Sequence, residues 1–314
     1  MLKKRIIFLA LLAIAVILVY MFTLMGTRPD YVLPRRAIKV AAMVLIACSV
    51  GYSSVVFQTI TNNRILTPSI MGFESVYILF QSFIVFLYGD ASFQVIHSHN
   101  NFILSVVLML GFALILYFTM FRKENINVYF LLLVGLILGS IFGSMTSFMQ
   151  MIIDPNEFSV IQKSLFASFN NVNTELLGIS AITLVISLIV GSRLLHNLDV
   201  LALGKEHAIN LGVNYQRLVR ISLLLIAVQV SISTALVGPI TFLGILIANL
   251  SYEFIPSYKH KYTILGASLM GVLLIIGGQF IVEHLFNMGT TISILINFVG
   301  GLYFIILLLK SRKI

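Results

Sequence analysis

Tryptophan is absent from the 314 residues, cysteine occurs once and proline only six times. Charge is scarce too, with 10% of residues charged and only 11 of them acidic. Each shortage excludes something. The lone Cys48 lies in an apolar run, where it permits no intrachain disulfide and no cysteine-based metal site. A soluble domain averages about 25% charged residues, so this chain cannot coat a globule of its own length. That excludes a soluble enzyme, a disordered tail and a nucleic-acid module, in spite of a net charge of +9. Without tryptophan, any interfacial aromatic belt falls to 12 Tyr and 24 Phe.

What the chain has instead is apolar length. Hydrophobic residues make up 59% of it, and the mean hydropathy is +1.05. A helix crossing a bilayer needs about 20 residues. Ten apolar stretches, each bounded by charge, Pro, Gly or Asn, run over residues 6–25, 38–60, 70–89, 102–121, 127–153, 176–195, 218–237, 240–255, 262–282 and 290–309. The pattern predicts an all-α polytopic membrane protein of about ten transmembrane helices, forming a single transmembrane domain over residues 1–314. The eighth stretch is short, and Gly238-Pro239 parts it from the seventh by a tight turn. The apolar run after Met1–Arg5 exceeds the 7–15 residues of a cleavable signal, so it reads as a retained first span.

Basic residues orient the chain. With the N-terminus inside, fifteen Lys/Arg fall on the cytoplasmic side: Lys3, Lys4, Arg5, Arg64, Arg122, Lys123, Arg193, Lys205, Arg217, Arg220, Lys259, Lys261, Lys310, Arg312 and Lys313. Five fall outside: Arg28, Arg35, Arg36, Lys39 and Lys163. An even number of spans puts both basic termini in the cytoplasm. Four of the five outer cations crowd into 28–39, either snorkelling around a helix start or forming a docking patch for an acidic partner. Residues 90–101 and 154–175 form longer outer segments. Phe158, Ile161, Leu165 and Phe169 in the second predict a short amphipathic helix at the outer surface. The largest inner connection, 193–217, reads as two short helices punctuated by Gly204 and Gly212. Such a pair either lies on lipid or docks into another protein.

The chain carries no visible nucleotide-binding loop. Its one Gly-Lys pair, Gly204-Lys205, is followed by Glu206 where a phosphate loop needs Ser or Thr. His97 and His99 have no accompanying carboxylate cluster and read as solvated, so no metal site is predicted. Glu283-His284 and Glu74 read as groups near a membrane interface, or as groups facing a pathway. Met145–Met151 with Phe148 reads as packing or lipid contact. Gly135, Gly139, Ser140, Gly143 and Ser144 fall mostly three or four apart in the fifth stretch, and Gly300-Gly301 interrupts the tenth. Such residues let helices approach closely, or border a cavity.

Several segments together resemble the permeases of iron-siderophore and cobalamin ABC importers. Leu33-Pro34-Arg35 is similar to the Leu-Pro-Arg that opens span two there. Residues 63–72, Asn-Arg-Ile-Leu-Thr-Pro-Ser-Ile-Met-Gly, resemble the family's Asn-Pro-Leu-Ala-x-Pro-x-Leu-Leu-Gly. Leu203-Gly204, Ala208 and Leu211-Gly212-Val213 match Leu-Gly-x-x-x-Ala-x-x-Leu-Gly-Val, and 238–244 matches Gly-Pro-Ile-x-Phe-x-Gly. The matches run in order over nearly the whole chain. The chain departs from the family at Ala248-Asn249 and Tyr252-Glu253, where Pro-His and then Arg are usual. It departs again at Gly300-Gly301-Leu302-Tyr303-Phe304, in place of Gly-Gly-Pro-Phe-Phe, and at Val32, where the family often has Arg. Residues 33–39 and 59–72 look most like the Gram-positive catecholate permeases of the petrobactin type.

The resemblance implies a non-enzymatic permease subunit in the cytoplasmic membrane of a Gram-positive bacterium, importing ferric siderophore. Its partners would be two ATPase subunits, which use the ATP and magnesium, a second and paralogous permease, an extracytoplasmic siderophore-binding lipoprotein, and membrane lipid. This chain itself would bind no cofactor. Residues 193–217 would couple to the ATPase through Leu203, Gly204, Ala208, Leu211 and Gly212. Arg35, with Arg36 beside it, would receive acidic groups of the binding protein. Gly139, Gly143, Gly300 and Gly301 would serve the pathway or helix packing. The residues themselves leave open another cargo, such as free metal ion, haem or cobalamin, and a membrane sensor that transports nothing.

Overall fold

The computed structural model describes residues 2–23, 29–89, 98–121, 128–170 and 172–311. Within them are thirteen α-helices: α1 Leu2–Phe22, α2 Pro29–Thr61, α3 Phe73–Tyr88, α4 Ser98–Phe121, α5 Val128–Ile152, α6 Pro155–Leu165, α7 Thr174–Ser192, α8 Leu195–Leu201, α9 Lys205–Asn210, α10 Tyr215–Val237, α11 Leu243–Phe254, α12 His260–His284 and α13 Ile292–Ser311. Eight are long and apolar enough to cross a bilayer; α3 and α11 are shorter apolar helices. Those ten answer one for one to the ten apolar stretches. Call the end of the bundle where α1 starts basal and the opposite end apical. The Arg5 guanidinium donates to the Phe254 carbonyl, so α11 ends basally, whereas Tyr20 bonds Glu283, so α12 ends apically.

The two short helices are short because each begins at half depth. After α2 the chain turns back through 62–67 and a 3-10 turn, Pro68–Met71, to Gly72 at φ +85°. A Cβ on Gly72 would stand 3.0 Å from the Gly135 carbonyl and 3.4 Å from the Gly139 Cα. Those glycines lie two to three turns along α5, so α3 starts inside the bundle and runs to the apical end. The mirror case is Gly238–Phe242. Gly238 takes φ +96° and lets the Ala167 backbone within 3.0 Å of where its Cβ would be. Phe242 packs on Gly300, about two turns into α13, and α11 then runs basally.

Two apolar cores hold the bundle. One gathers α2, α3, α4, α5, α8 and α10 around Phe57, Phe73, Met109 and Leu131; the other gathers α1, α2, α11, α12 and α13 around Tyr20, Met43, Leu243 and Ile275. α2 takes part in both, and α12 packs along much of its length. Its 33 residues make it about 50 Å long.

The amphipathic helix expected after residue 154 is present but ends sooner than its apolar spacing predicts. Asp154 caps α6 by accepting from the Asn156 N–H, and Phe158, Ile161 and Leu165 pack on Val85 and Ile153. At Phe166 the chain turns extended, because its backbone is needed elsewhere. The Ala167 N–H donates to Ser293 Oγ at 2.6 Å and the Ser168 N–H to the Val237 carbonyl at 2.8 Å. Phe169 is therefore carried into the second core, not onto the helix face.

Candidate functional site

At half depth the starts of α3 and α11 meet on one carboxylate. Glu74 Oε1 accepts from Ser69 Oγ at 2.8 Å and Oε2 from Thr241 Oγ1 at 2.6 Å. Glu74 is therefore not at an interface but in the bundle interior. It lines a cavity of about 40 Å³ shared with Ser49, Ser53, Ser54, Thr67 and Gln229, room for about one water. Among the described residues no Lys, Arg or His pairs with it. Sequence reasoning missed this arrangement because Thr241 is 167 residues away.

The basal end displays the 193–217 connection. The Gly212 N–H donates to the Ile209 carbonyl and the Val213 N–H to the Ala208 carbonyl, a left-handed helix end that Gly212 makes possible with φ +84°. Gly204, at φ +109°, turns the chain between α8 and α9. Asn214 then caps α10 through the Arg217 N–H. Ala208 is fully buried, while Leu203, Ile209 and Leu211 are 63%, 49% and 64% exposed. Among the described residues nothing lies within 4 Å of a Cβ added at Gly212. The expected coupling residues thus divide into a buried anchor, two turn glycines and an apolar surface.

The apical end separates residues that the sequence places side by side. Arg35 is exposed and lies over the Tyr31 ring at 4.3 Å. Arg36 is buried, and its Nη1 donates to the carbonyls of Tyr20, Met21 and Thr23 at 2.8, 3.1 and 2.6 Å. It closes the C-terminus of α1, where a cation also suits the helix dipole, and its charge is not presented outward. Lys39 pairs with Glu283 at 3.0 Å, and Glu283 also accepts from Tyr20 and Gln279. Arg35, Lys39 and Glu283, with the flank of Arg36, line an apical cleft of about 510 Å³. His284 stacks on Phe280.

The four glycines expected on the pathway or in packing fall into two kinds. Gly300 is a close-approach position against Phe242, and Gly139 is in ordinary contact with Gly72. Gly143 and Gly301 have nothing among the described residues within 4 Å of an added Cβ. Phe148 and Met151 are exposed. His99 pairs with the exposed Glu175 at 2.8 Å, while His97, like Arg28, Arg122, Lys123, Arg312 and Lys313, lies outside the described residues. Among the described residues no three His, Cys, Asp or Glu side chains gather into a metal site.

A model of the FecCD transport family matches residues 6–310. The chain belongs to the FecCD transport family. This FecCD chain is 50% identical to the petrobactin import system permease protein YclO of Bacillus subtilis (strain 168) over 311 residues, covering 99% of the chain and 98% of that relative. Two petrobactin import system permease proteins of Bacillus anthracis also match it. FatC is 36% identical, covering 90% of this chain and 80% of FatC; FatD is 25% identical, covering 88% and 81%. A solved chain described as an inward-facing, metal-chelate type ABC transporter superposes with a TM-score of 0.85 at 21% identity, covering 99% of this chain and all of that one. The fold is thus that of an ABC importer permease, and the chain is an ABC permease subunit, not an enzyme. Two of its departures from the family pattern answer each other. Asn249 Nδ2 donates to the Arg64 carbonyl at 2.9 Å, and Tyr252 lies under the Arg64 guanidinium at 4.8 Å. Both contacts tie the Asn63-Arg64 turn to α11.

Proposed function

We propose that this chain is the permease of an ATP-driven importer that carries a ferric siderophore of the catecholate, petrobactin type across the cytoplasmic membrane. The carrying observation is 50% identity, across 99% of the chain, to a petrobactin import permease. The basal end is the cytoplasmic one, so both termini are inside. Two ATPase subunits bind ATP with its magnesium and dock on the exposed Leu203, Ile209 and Leu211 around the buried Ala208 anchor. Gly204 and Gly212 hold that surface in shape. An extracytoplasmic lipoprotein delivers the chelate to the apical end, where Arg35 receives an acidic group. A second, paralogous permease completes the pathway. Bacillus anthracis has two different petrobactin permeases among the matches, in keeping with that arrangement. ATP binding can drive the change only by favouring one of two arrangements of the helices.

The test is uptake of radioactive iron as ferric petrobactin by cells that make no siderophore and lack redundant importers. Uptake should depend on this gene. Leu211→Glu should lower it about tenfold or more and release the ATPases, with the permease still made in normal amount. Unchanged uptake without the gene overturns the cargo. ATPases that co-purify normally with Leu211→Glu overturn the docking surface.

A further inference from the structure

α8 carries a polar group that the docking surface does not use. Asp199 Oδ1 accepts from the His260 backbone N–H and from His260 Nδ1–H, both at 2.6 Å. The far side of the same ring, Nε2, lies 2.7 Å from Thr59 Oγ1, and Thr59 Oγ1 lies 2.9 Å from the Val55 carbonyl. His260 is 4% exposed. Three elements therefore meet on one imidazole: α8 of the basal connection, the first residue of α12 and the last turn of α2. The carboxylate also answers a free N–H at the start of α12, where the helix dipole favours negative charge.

The placement is what gives this cluster meaning. α9, which bears Ile209 and precedes Leu211, packs on α8 and α10, whereas α8 packs on α2, α10 and α12. α2 and α12 are pinned together at both ends: basally through Thr59 and His260, apically through Lys39 and Glu283. Near the apical end of α2 stands the exposed Arg35. Midway along it, Ser49, Ser53 and Ser54 line the interior cavity that holds Glu74. A push on α8 thus reaches a pinned pair of helices running the depth of the bundle.

We propose that Asp199, His260 and Thr59 form the relay that passes movement of the 193–217 connection to α2 and α12, with His260 as its positioning residue. The relay rests on the docking reading above, but its loss has a different signature. The two bonds to the Asp199 carboxylate hold direction as well as distance, so a tilt of α8 pulls on the start of α12 and, through the imidazole and Thr59, on the last turn of α2. Replacing the ring with a methyl group leaves Leu203, Ile209 and Leu211 untouched and cuts the link from Asp199 to Thr59, leaving only the bond from the residue 260 backbone N–H to Asp199.

The experiment uses the full complex in lipid nanodiscs, with ATPases, second permease and binding protein loaded with ferric petrobactin. His260→Ala should retain the ATPases and their basal hydrolysis, while the rise in hydrolysis caused by the loaded binding protein falls about tenfold. Thr59→Val removes only a hydroxyl and should give a smaller loss of the same kind. Combining the two should cost no more than His260→Ala alone, as expected of one linkage. His260→Asn, which can still donate to Asp199, should recover part of the stimulation. Lys261→Ala, exposed on the next position of α12, should leave it unchanged. Full stimulation in both His260→Ala and Thr59→Val overturns the relay and leaves the docking surface standing. Normal ATPase retention in Leu211→Glu overturns the docking surface, and the relay's input with it.

Discussion

Arg35 and Arg36 are neighbours in the chain with opposite situations, and the difference decides what each can do. Arg36 closes three carbonyls at the end of α1; a hydrogen bond made by a charged group contributes about 1.5–3 kcal/mol. Arg36→Ala should therefore lower the thermal unfolding midpoint of the purified permease by an amount equivalent to about 2 kcal/mol. Arg35→Glu should leave the midpoint unchanged while weakening binding-protein docking about tenfold at low salt, as rim charges do through their effect on association. Equal midpoints in both variants would contradict the assignment of Arg36. A sequence marks both as arginines at a helix start, and nothing local tells them apart. Two of the three carbonyls belong to α1 and the third to Thr23 just beyond it, and which arginine reaches them depends on the crossing of α1 and α2. Glu74 is legible only as a carboxylate near a span end, because its partners Ser69 and Thr241 are brought together by two turns of the chain that periodicity does not register.

Whole elements were far more legible. The ten apolar stretches became ten helices because each run is long, apolar and cut by Gly, Pro or charge. What apolarity cannot encode is depth. α3 and α11 are as apolar as the spans, and that both start inside the bundle shows only in what precedes them touching mid-helix glycines, Gly72 against Gly135 and Gly139 and Phe242 against Gly300. The helix at 155–165 stopped short of Phe169 for a reason equally remote, since Ser293 and Val237 take the backbone donors of 167 and 168. Glycine spacing likewise marks a smooth face without saying what touches it. Gly300 abuts Phe242, where an added Cβ would stand 2.6 Å from the Phe242 Cβ, whereas Gly301 faces open space. Gly300→Val should destabilise the fold by about 1–3 kcal/mol, the usual cost of overpacking, and lower the yield of folded permease. Gly301→Val should leave yield and unfolding midpoint as they were. Equal yields would mean that α13 does not rest on Phe242.

At the scale of the molecule, the open glycines point outward from the chain. Ser140, Ser144 and Ser147 are exposed on α5 with Gly143 among them, and the hydroxyls of Ser144 and Ser147 are turned back to the carbonyls one turn earlier. On α1, α4 and α7 the exposed side chains are mainly Leu, Ile, Val and Phe, as lipid contact requires. A stripe of small residues beside them fits close approach of another helix better than contact with fluid chains. If a paralogous permease supplies that helix, this chain expressed with the ATPases alone should purify as a single permease without transport. Adding the paralogue should give one copy of each, read as intact mass after release from detergent. Gly143→Leu together with Gly301→Leu, at positions where an added Cβ meets none of the described residues, should then lower the yield of the pair about tenfold while the single chain still folds. A transport-competent complex built from two copies of this chain would reverse that conclusion, because the same two glycines would then face each other's copies across a two-fold axis.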